Sequence, residues 1–364
     1  MSTRESFPLP ISRASDDQTP RLVDEVRNAS ARGHALRIVG GNTRSFYGRP
    51  VTGYRLEVSG HSGVIAYDPS ELVITARSGT PIAEIEALLA EHDQMLAFEP
   101  PRFGAQSTLG GVVASGLSGP RRPFSGSVRD FVLGVRVLDG RGEVLRFGGT
   151  VFKNVAGFDA FRLMSGALGC LGVILDISLR VVPRPRAEVA LARDMDSEEA
   201  RLMLIGRMRR QSALSGAFHD GRRLHLRLSG AHSLVKDAVA EFGGAPEDLK
   251  VWDEIRDKSR IEFAGTGPVW RLSLPQTAEL PALPGRLLWD WAGSERWLIS
   301  DSEDATFWNL AAKLGGHATL FRNAPPGSEV FQPLAKPILD LHHRIKAALD
   351  PAGIFNPGRL YEGL

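Results

Sequence analysis

The sequence predicts an α+β protein of two domains, and three observations lead there. The chain has 364 residues, too many for one ordinary core and too few for three. Its first half moves from a short helix-and-strand stretch into glycine-rich turns separating β-branched runs, and from about residue 187 strands alternate apolar and polar residues.

Thr19 with Pro20 reads as an N-cap followed by proline at the first helical position, and Leu22, Val23, Val26 and Ala29 recur at helical spacing until Gly33. The strand Leu36 to Val39 follows and runs directly into Gly40-Gly41-Asn42-Thr43-Arg44-Ser45. Tyr54 to Val58, Val64 to Tyr67 and Leu72 to Ala76 read as short strands, and Thr80 with Pro81 as the cap of a helix carrying Ile82, Ile85, Leu88 and Leu89. The first hundred residues thus form a small βαβ-like unit. Pro100 to about Pro185, with runs such as Phe131 to Leu138 and Gly172 to Val182, reads as a second, mostly antiparallel subdomain.

Arg184-Pro185-Arg186 is the expected linker, which divides the chain into residues 1–185, a smaller domain at 186–335 and a C-terminal helix with its tail at 336–364. In the middle region Leu224, Leu226 and Leu228 alternate with Arg223, His225 and Arg227, and Trp270, Leu272 and Leu274 with Arg271 and Ser273. Leu287, Trp289 and Trp291 continue the pattern, and Ala318 to Arg322 adds a strand. Ile338, Leu341, His342, Ile345 and Leu349 share one helical face before Asp350-Pro351 ends the helix.

Charge and cysteine content narrow the function. A net charge of +2 from 44 basic and 42 acidic residues, spread along the chain, argues against a nucleic-acid footprint. Cys170 is the single cysteine, so the sequence offers no disulfide framework, thiolate zinc site or cysteine-ligated iron–sulfur cluster. Met1 to Pro20 has no apolar h-region and no long apolar run occurs elsewhere, so the expectation is a cytoplasmic protein that reaches a membrane only through partners.

The 39 glycines exceed a usual share of roughly 7% and fall in blocks. A strand ending in Gly40-Gly41-Asn42-Thr43 can present consecutive backbone N–H groups to a phosphate, with hydroxyls from Thr43 and Ser45. Two glycines after a strand also fit an ordinary turn, and the spacing matches neither a P-loop nor a dinucleotide G-x-G-x-x-G pattern. The second block runs Thr108-Leu109-Gly110-Gly111-Val112-Val113-Ala114-Ser115-Gly116, then Gly119 and Ser125-Gly126-Ser127-Val128-Arg129-Asp130. The third runs Lys153-Asn154-Val155-Ala156-Gly157-Phe158-Asp159, then Gly166 to Ile174, with its glycines before the strand, the reverse of a Rossmann turn. Each block alone also fits close-packed turns; the three in order point to a groove filled by a ligand.

The order of these blocks resembles the FAD-binding domain of the vanillyl-alcohol oxidase and p-cresol methylhydroxylase superfamily. Gly119-Pro120-Arg121-Arg122, Ser127 to Val135, Phe152 to Gly157, Gly315 to Arg322 and Leu349 to Arg359 narrow the resemblance to the smaller, FAD-binding subunits of bacterial glycolate oxidases, over nearly the whole chain. The resemblance implies a two-subdomain FAD-binding domain of the p-cresol methylhydroxylase type followed by a cap domain with an antiparallel sheet. It further implies that residues 39–45 wrap the FAD diphosphate, that Thr108, Gly110, Gly111, Ala114, Ser115, Gly126, Ser127, Arg129 and Asp130 complete the cradle, and that Gly172, Val173 and Ile174 approach the adenine. Asn356-Pro357-Gly358 would return with the C-terminal tail to the FAD domain near the isoalloxazine. No histidine stands in the first loop, so FAD is expected to be noncovalent. The implied partners are a larger flavoprotein subunit and an iron–sulfur subunit, on the inner membrane through the complex.

Oxidation of a 2-hydroxy acid through flavin needs a base for the hydroxyl proton and a cation for the carboxylate. His317 is the candidate base, and Arg322 or Arg271 the candidate clamp, all on the polar side of the expected cap strands; a solvated or structural role is the commoner one for such residues. His342 and His343 diverge on their helix, and no H-x-x-H or H-E-x-x-H spacing occurs, so no metal site is expected. Two readings stand: a subunit that oxidises glycolate or relays its electrons, and a flavin-bearing structural subunit whose partner performs the chemistry. A soluble reductase or lactone oxidase on the same fold is a more distant third.

Overall fold

The computed structural model describes residues 16–149, 159–207, 213–300 and 306–364. The chain divides into two units: the first takes residues up to Leu117, Ser127–Pro183 and Leu334–Leu364, the second Ser118–Gly126 and Arg184–Pro333. The protein is α+β, with helices packed on a five-stranded sheet and a two-stranded parallel pair in the first unit and a large antiparallel sheet in the second. Among the described residues no helix is long and apolar enough to cross a membrane.

The first unit begins with α1 (Thr19–Arg32), which buries Leu22, Val26 and Ala29 and ends at Gly33 in the left-handed conformation (φ 64°). Its N-cap is Gln18, not Thr19, because the Asp17 carboxylate takes the Thr19 N–H at 2.9 Å and draws Thr19 into the helix. β1 (Leu36–Val39) pairs in parallel with β2 (Tyr54–Glu57). β3 (Val64–Asp68) and β4 (Val73–Arg77) follow, then α2 (Ile82–Ala90) and α3 (Leu109–Ser115). Pro81 is the N-cap of α2; the Thr80 hydroxyl instead donates to Arg77 O at 2.7 Å and accepts from Gly63 N–H at 2.9 Å, bracing the turn.

β5 (Val132–Leu138), β6 (Val144–Gly148) and β7 (Val173–Arg180) complete an antiparallel sheet in the order β3-β4-β7-β5-β6. β3 and β4 thus belong to this sheet and not to the βαβ-like unit that their sequence position suggests. Arg77 opposite Asp176 shows the reason: the pairing is made a hundred residues away, beyond any local pattern. The core beneath the sheet joins Ile74, Ile82, Ile85 and Phe98 to Val112, Phe131 and Ile177, all nearly fully buried.

In the second unit β8 (Ala187–Asp194), β9 (Leu214–His219), β10 (Arg223–Gly230), β11 (Ala245–Glu247), β12 (Val269–Ser273), β13 (Arg286–Asp290), β14 (Glu295–Ile299) and β15 (His317–Arg322) form one antiparallel sheet, in the order β11-β8-β10-β9-β13-β14-β12-β15. Leu224, Leu226 and Leu228 enter an apolar core as their alternation requires. His225 and Arg227, which alternation assigns to a polar face, are buried as well. The helix Val251–Asp257 places Trp252 against the Arg227 guanidinium, and His225 is held between two carboxylates. Trp291 leaves the strand pattern and starts a short 3-10 turn. α4 (Lys336–Leu349) belongs to the first unit; Lys346 is its one buried residue, while Ile338 and Leu341 stay exposed.

Candidate functional site: a glycine-loop cavity in the first unit

β1 is fixed on both sides before the glycine loop begins. β2 lies along one side, and on the other the C-terminal tail adds a short parallel contact: Leu36 N–H donates to Ile354 O at 2.7 Å and Asn356 N–H to Leu36 O at 2.9 Å. The Asn356 side chain completes the joint. Its Oδ1 accepts from Ile38 N–H at 2.9 Å and its Nδ2 donates to Leu168 O at 2.6 Å. The loop then turns through Asn42, left-handed at φ 54°, and Ser45 N–H comes back to Asn42 O at 3.4 Å.

Among the described residues, no acceptor takes a hydrogen bond from the amide N–H of Gly40, Gly41, Asn42 or Thr43. Gly40, Gly41 and Thr43 are half-buried and Asn42 is exposed; half-buried main-chain donors are almost always paired, so three of them in a run of four open amides mark a place built for an acceptor. These residues and Ser45 line a cavity of about 120 Å³, whose other walls include Thr108, Gly111, Ala114, Ser115, Leu168 and Asn356. Arg37, Arg44 and Arg359 also line it, and among the described residues no aspartate or glutamate does. The potential inside is positive, and the donors are those a diphosphate needs.

The arginines differ in what they hold. Arg44 is buried, donates through Nη1 to Ser107 Oγ at 2.9 Å and through Nη2 to Pro101 O, and lies over the Phe103 ring at 5.6 Å; it ties the first loop to the 101–107 segment. Arg359 clasps the same loop from the tail, donating to Arg49 O at 2.9 Å and to Arg44 O and Ser45 O at 3.2 Å each. Its burial lowers its pKa. The Arg37 side chain makes no hydrogen bond or ion pair among the described residues; its main chain pairs with β2.

The second glycine block packs rather than donates. Leu109 N–H binds Thr80 O at 2.9 Å, Gly110 N–H binds Ser78 O at 2.7 Å, and Thr108 Oγ1 accepts from Gly111 N–H at 3.4 Å, so the first amides of α3 are already engaged. A Cβ on Gly110 would lie 2.7 Å from Ser78 Cβ, which explains the glycine by close approach of backbone to backbone. Thr108, Gly111, Ala114 and Ser115 wall the cavity; Gly110 stands behind them.

Other expected cradle residues lie elsewhere. Gly126 falls in the second unit. Ser127 and Asp130 form a capping box, with Ser127 N–H donating to Asp130 Oδ2 at 2.8 Å, and Arg129 is exposed beside a separate cavity of about 230 Å³ near Cys170 and His342. Gly172 (φ 153°) opens β7, and Val173 and Ile174 are core side chains. The Lys153-Asn154-Val155-Ala156-Gly157 stretch lies outside the described residues.

In the second unit, His317 starts β15 opposite Ser273, and Arg271 faces Thr319 two residues on, so His317 and Arg271 share one end and one face of the sheet. His317 is exposed by surface area. Desolvation by the surrounding protein, then the positive charges of Arg271 and Arg122, hold its pKa below the ordinary histidine value. Arg271 donates from Nε to Glu295 Oε1 at 2.6 Å and lies over the Trp291 ring at 5.1 Å; Arg122 lies over the same ring at 4.2 Å. Trp291 and Ala292 are both left-handed at φ 53°, a strained pair that presents the indole to the two guanidiniums. Arg322 is at the opposite end of β15, about 17 Å along the strand from His317, and the structure does not bring the two together.

Arg122 and Arg359 stand in stretches that carry the resemblance but have no site role in the sequence reading, and Arg37 is absent from it. Arg37 carried one signal, a charged residue inside a four-residue strand that leads into the glycine loop; the others depend on long-range contacts.

The fold and this cavity define an FAD-linked oxidase: residues 17–148 match the FAD binding domain family and residues 333–360 the C-terminal domain of FAD linked oxidases. The chain is 46% identical over 348 residues to the glycolate oxidase subunit GlcE of Escherichia coli (strain K12), covering 96% of this chain and 99% of that one. It belongs to the family of that glycolate oxidase subunit. A D-lactate dehydrogenase of Anaerostipes hadrus is 31% identical over 38% of this chain and 29% of its own. The solved structure of an alkyldihydroxyacetonephosphate synthase shares the fold, with TM-score 0.64 at 15% identity over 94% of this chain and 76% of that one.

Proposed function

We propose that this chain holds FAD noncovalently at the first glycine loop and serves as a flavin subunit of a glycolate-oxidising complex, converting glycolate to glyoxylate or relaying its electrons. One observation carries the reading: four successive unpartnered amides and three arginines, with no carboxylate, line a single cavity. Gly40 to Ser45 would hold the diphosphate, with Thr108, Gly111, Ala114, Ser115 and Asn356 as the facing wall. Among the described residues no histidine, cysteine or tyrosine lines the cavity, which supports a dissociable cofactor.

Bound FAD supplies the hydride acceptor. His317, kept neutral at neutral pH, is the group that takes the hydroxyl proton, and Arg271, oriented by Glu295, is the cation for the carboxylate. The proposal leaves Arg322 out of that pair. A larger flavoprotein and an iron–sulfur subunit are the proposed partners, since the single Cys170 cannot ligate a cluster by itself. The complex would lie in the cytoplasm, against the inner membrane through those partners.

The test is to reconstitute the chain with FAD, add glycolate without air and follow the flavin absorbance, alone and with the partner subunits. Bleaching of the isolated chain supports direct oxidation, and reduction only in the complex supports relay. A flavin that stays oxidised in both leaves a structural subunit. Folded protein that takes up no FAD overturns the proposal.

A further inference from the structure

Resting on the FAD reading, we infer that Arg37 is the charge partner of the cofactor's diphosphate, the one guanidinium at the cavity left for the ligand. Arg44 and Arg359 line the same space but are held by protein oxygens, Arg44 by Ser107 Oγ and Pro101 O and Arg359 by main-chain carbonyls that include those of Arg44 and Ser45 in the loop itself. Arg37 is half-buried on β1 and lines the cavity, and its guanidinium has no hydrogen-bonding or ionic partner among the described residues. The nearest acid on the neighbouring strand does not neutralise it. Arg37 sits opposite Arg55, and Glu57 is taken by Arg55 at 2.7 Å from Nε.

A half-buried cation without a counter-charge is costly to keep beside a second one, and the positive charge of Arg37 contributes to lowering the Arg359 pKa. An anion between them removes that cost. A diphosphate also satisfies the open amides of Gly40 to Thr43, so the two sets of unpartnered donors have one ligand chemistry in common. The main chain sets where the diphosphate sits; Arg37 supplies charge that attracts and retains it.

The experiment titrates the full chain with FAD, followed by flavin fluorescence, and with ADP, followed by competition against FAD or by calorimetry. It compares wild type, Arg37→Ala and Arg37→Lys at low and high salt. Wild type is expected to bind more weakly as salt rises. Arg37→Ala is expected to bind both ligands roughly tenfold more weakly at low salt, with that gap narrowing at high salt because the screened interaction is the one removed. Arg37→Lys should recover much of the loss, since it restores charge without the planar fork.

Arg37→Ala with wild-type affinity overturns the inference, and so does a loss that is the same at every salt concentration, which signals altered packing instead. If wild type itself fails to bind FAD, the cofactor reading falls, and the ADP arm still decides whether Arg37 binds a diphosphate. If Arg37→Ala does not fold, as circular dichroism will show, Arg37→Lys and Arg37→Gln carry the same comparison.

Discussion

Gly41 and Gln106 approach so closely that a Cβ on Gly41 would lie 1.5 Å from the Gln106 carbonyl oxygen and 2.5 Å from its carbon. Both are main-chain atoms, so no rotamer change relieves the overlap. At Gly40 the corresponding neighbour is Thr108 Oγ1 at 2.6 Å, a side-chain atom that can rotate. Gly41→Ala is therefore expected to displace the 101–107 segment at about 2–3 kcal/mol or more and to empty the protein of FAD, while Gly40→Ala costs about 1 kcal/mol. Thermal melts and flavin content of the two purified variants check the order; equal behaviour would contradict it.

Asn356 uses both ends of its amide, on Ile38 N–H and Leu168 O, and adopts a left-handed backbone (φ 38°) that asparagine tolerates well. Asn356→Ala leaves a buried donor and a buried acceptor unpaired, and a loss of about 3–5 kcal/mol is expected in urea unfolding of the first unit. Asn356→Asp retains the acceptor for Ile38 and loses only the bond to Leu168, so it should fall between alanine and wild type.

The buried His225 stands between Asp220 Oδ2 at 3.0 Å and Glu247 Oε2 at 2.8 Å. Burial pulls its pKa down, but hydrogen bonds to the two carboxylates outweigh that and raise it above the ordinary 6.5, while Asp220 is lowered from 3.8. The histidine's contribution to stability is complete below 6.5 and is lost as pH climbs through its raised folded value. The aspartate's is complete above 3.8 and is lost as pH falls through its depressed one. Stability of the second unit should therefore decline from pH 6.5 upward, and His225→Gln should flatten that alkaline limb in denaturant titrations across pH.

Lys258 Nζ reaches Asp290 Oδ2 at 3.2 Å and Glu295 Oε2 at 3.9 Å, with all three side chains buried. Burial raises the Asp290 pKa and Lys258 opposes the rise. Lys258→Met leaves the buried Asp290 carboxylate without its cation beside Glu295, which keeps Arg271; a destabilisation of about 3–5 kcal/mol is expected. Adding Asp290→Asn to that variant should recover part of it, and a double-mutant cycle on melting temperature measures how much.

Much of this was legible before any coordinates. Leu36 to Val39 reads as a strand because four residues of β-forming or long side chains end at two glycines, and that strand is there, with the expected loop after it. The caps at Thr19 and Thr80 were misplaced because a neighbouring carboxylate or a turn claimed the groups that a cap would use. His225 and Arg227 looked solvent-facing from alternation alone, since nothing in β10 announces that Glu247 and Trp252 will cover them. In the cavity, the glycines of the first loop were visible as a block, whereas the arginine contacts span up to 315 positions and leave no local trace.

The parallel seam between the tail and β1 joins positions 318 residues apart, and it holds the strand from which the glycine loop springs. A nascent polypeptide therefore cannot seat that seam until Ile354 to Asn356 have left the ribosome, however early the rest of the first unit condenses. With the flavin held at that loop as proposed, its loading is expected to follow synthesis, and a chain cut short by a dozen residues is expected to emerge as an empty vessel with its second sheet intact.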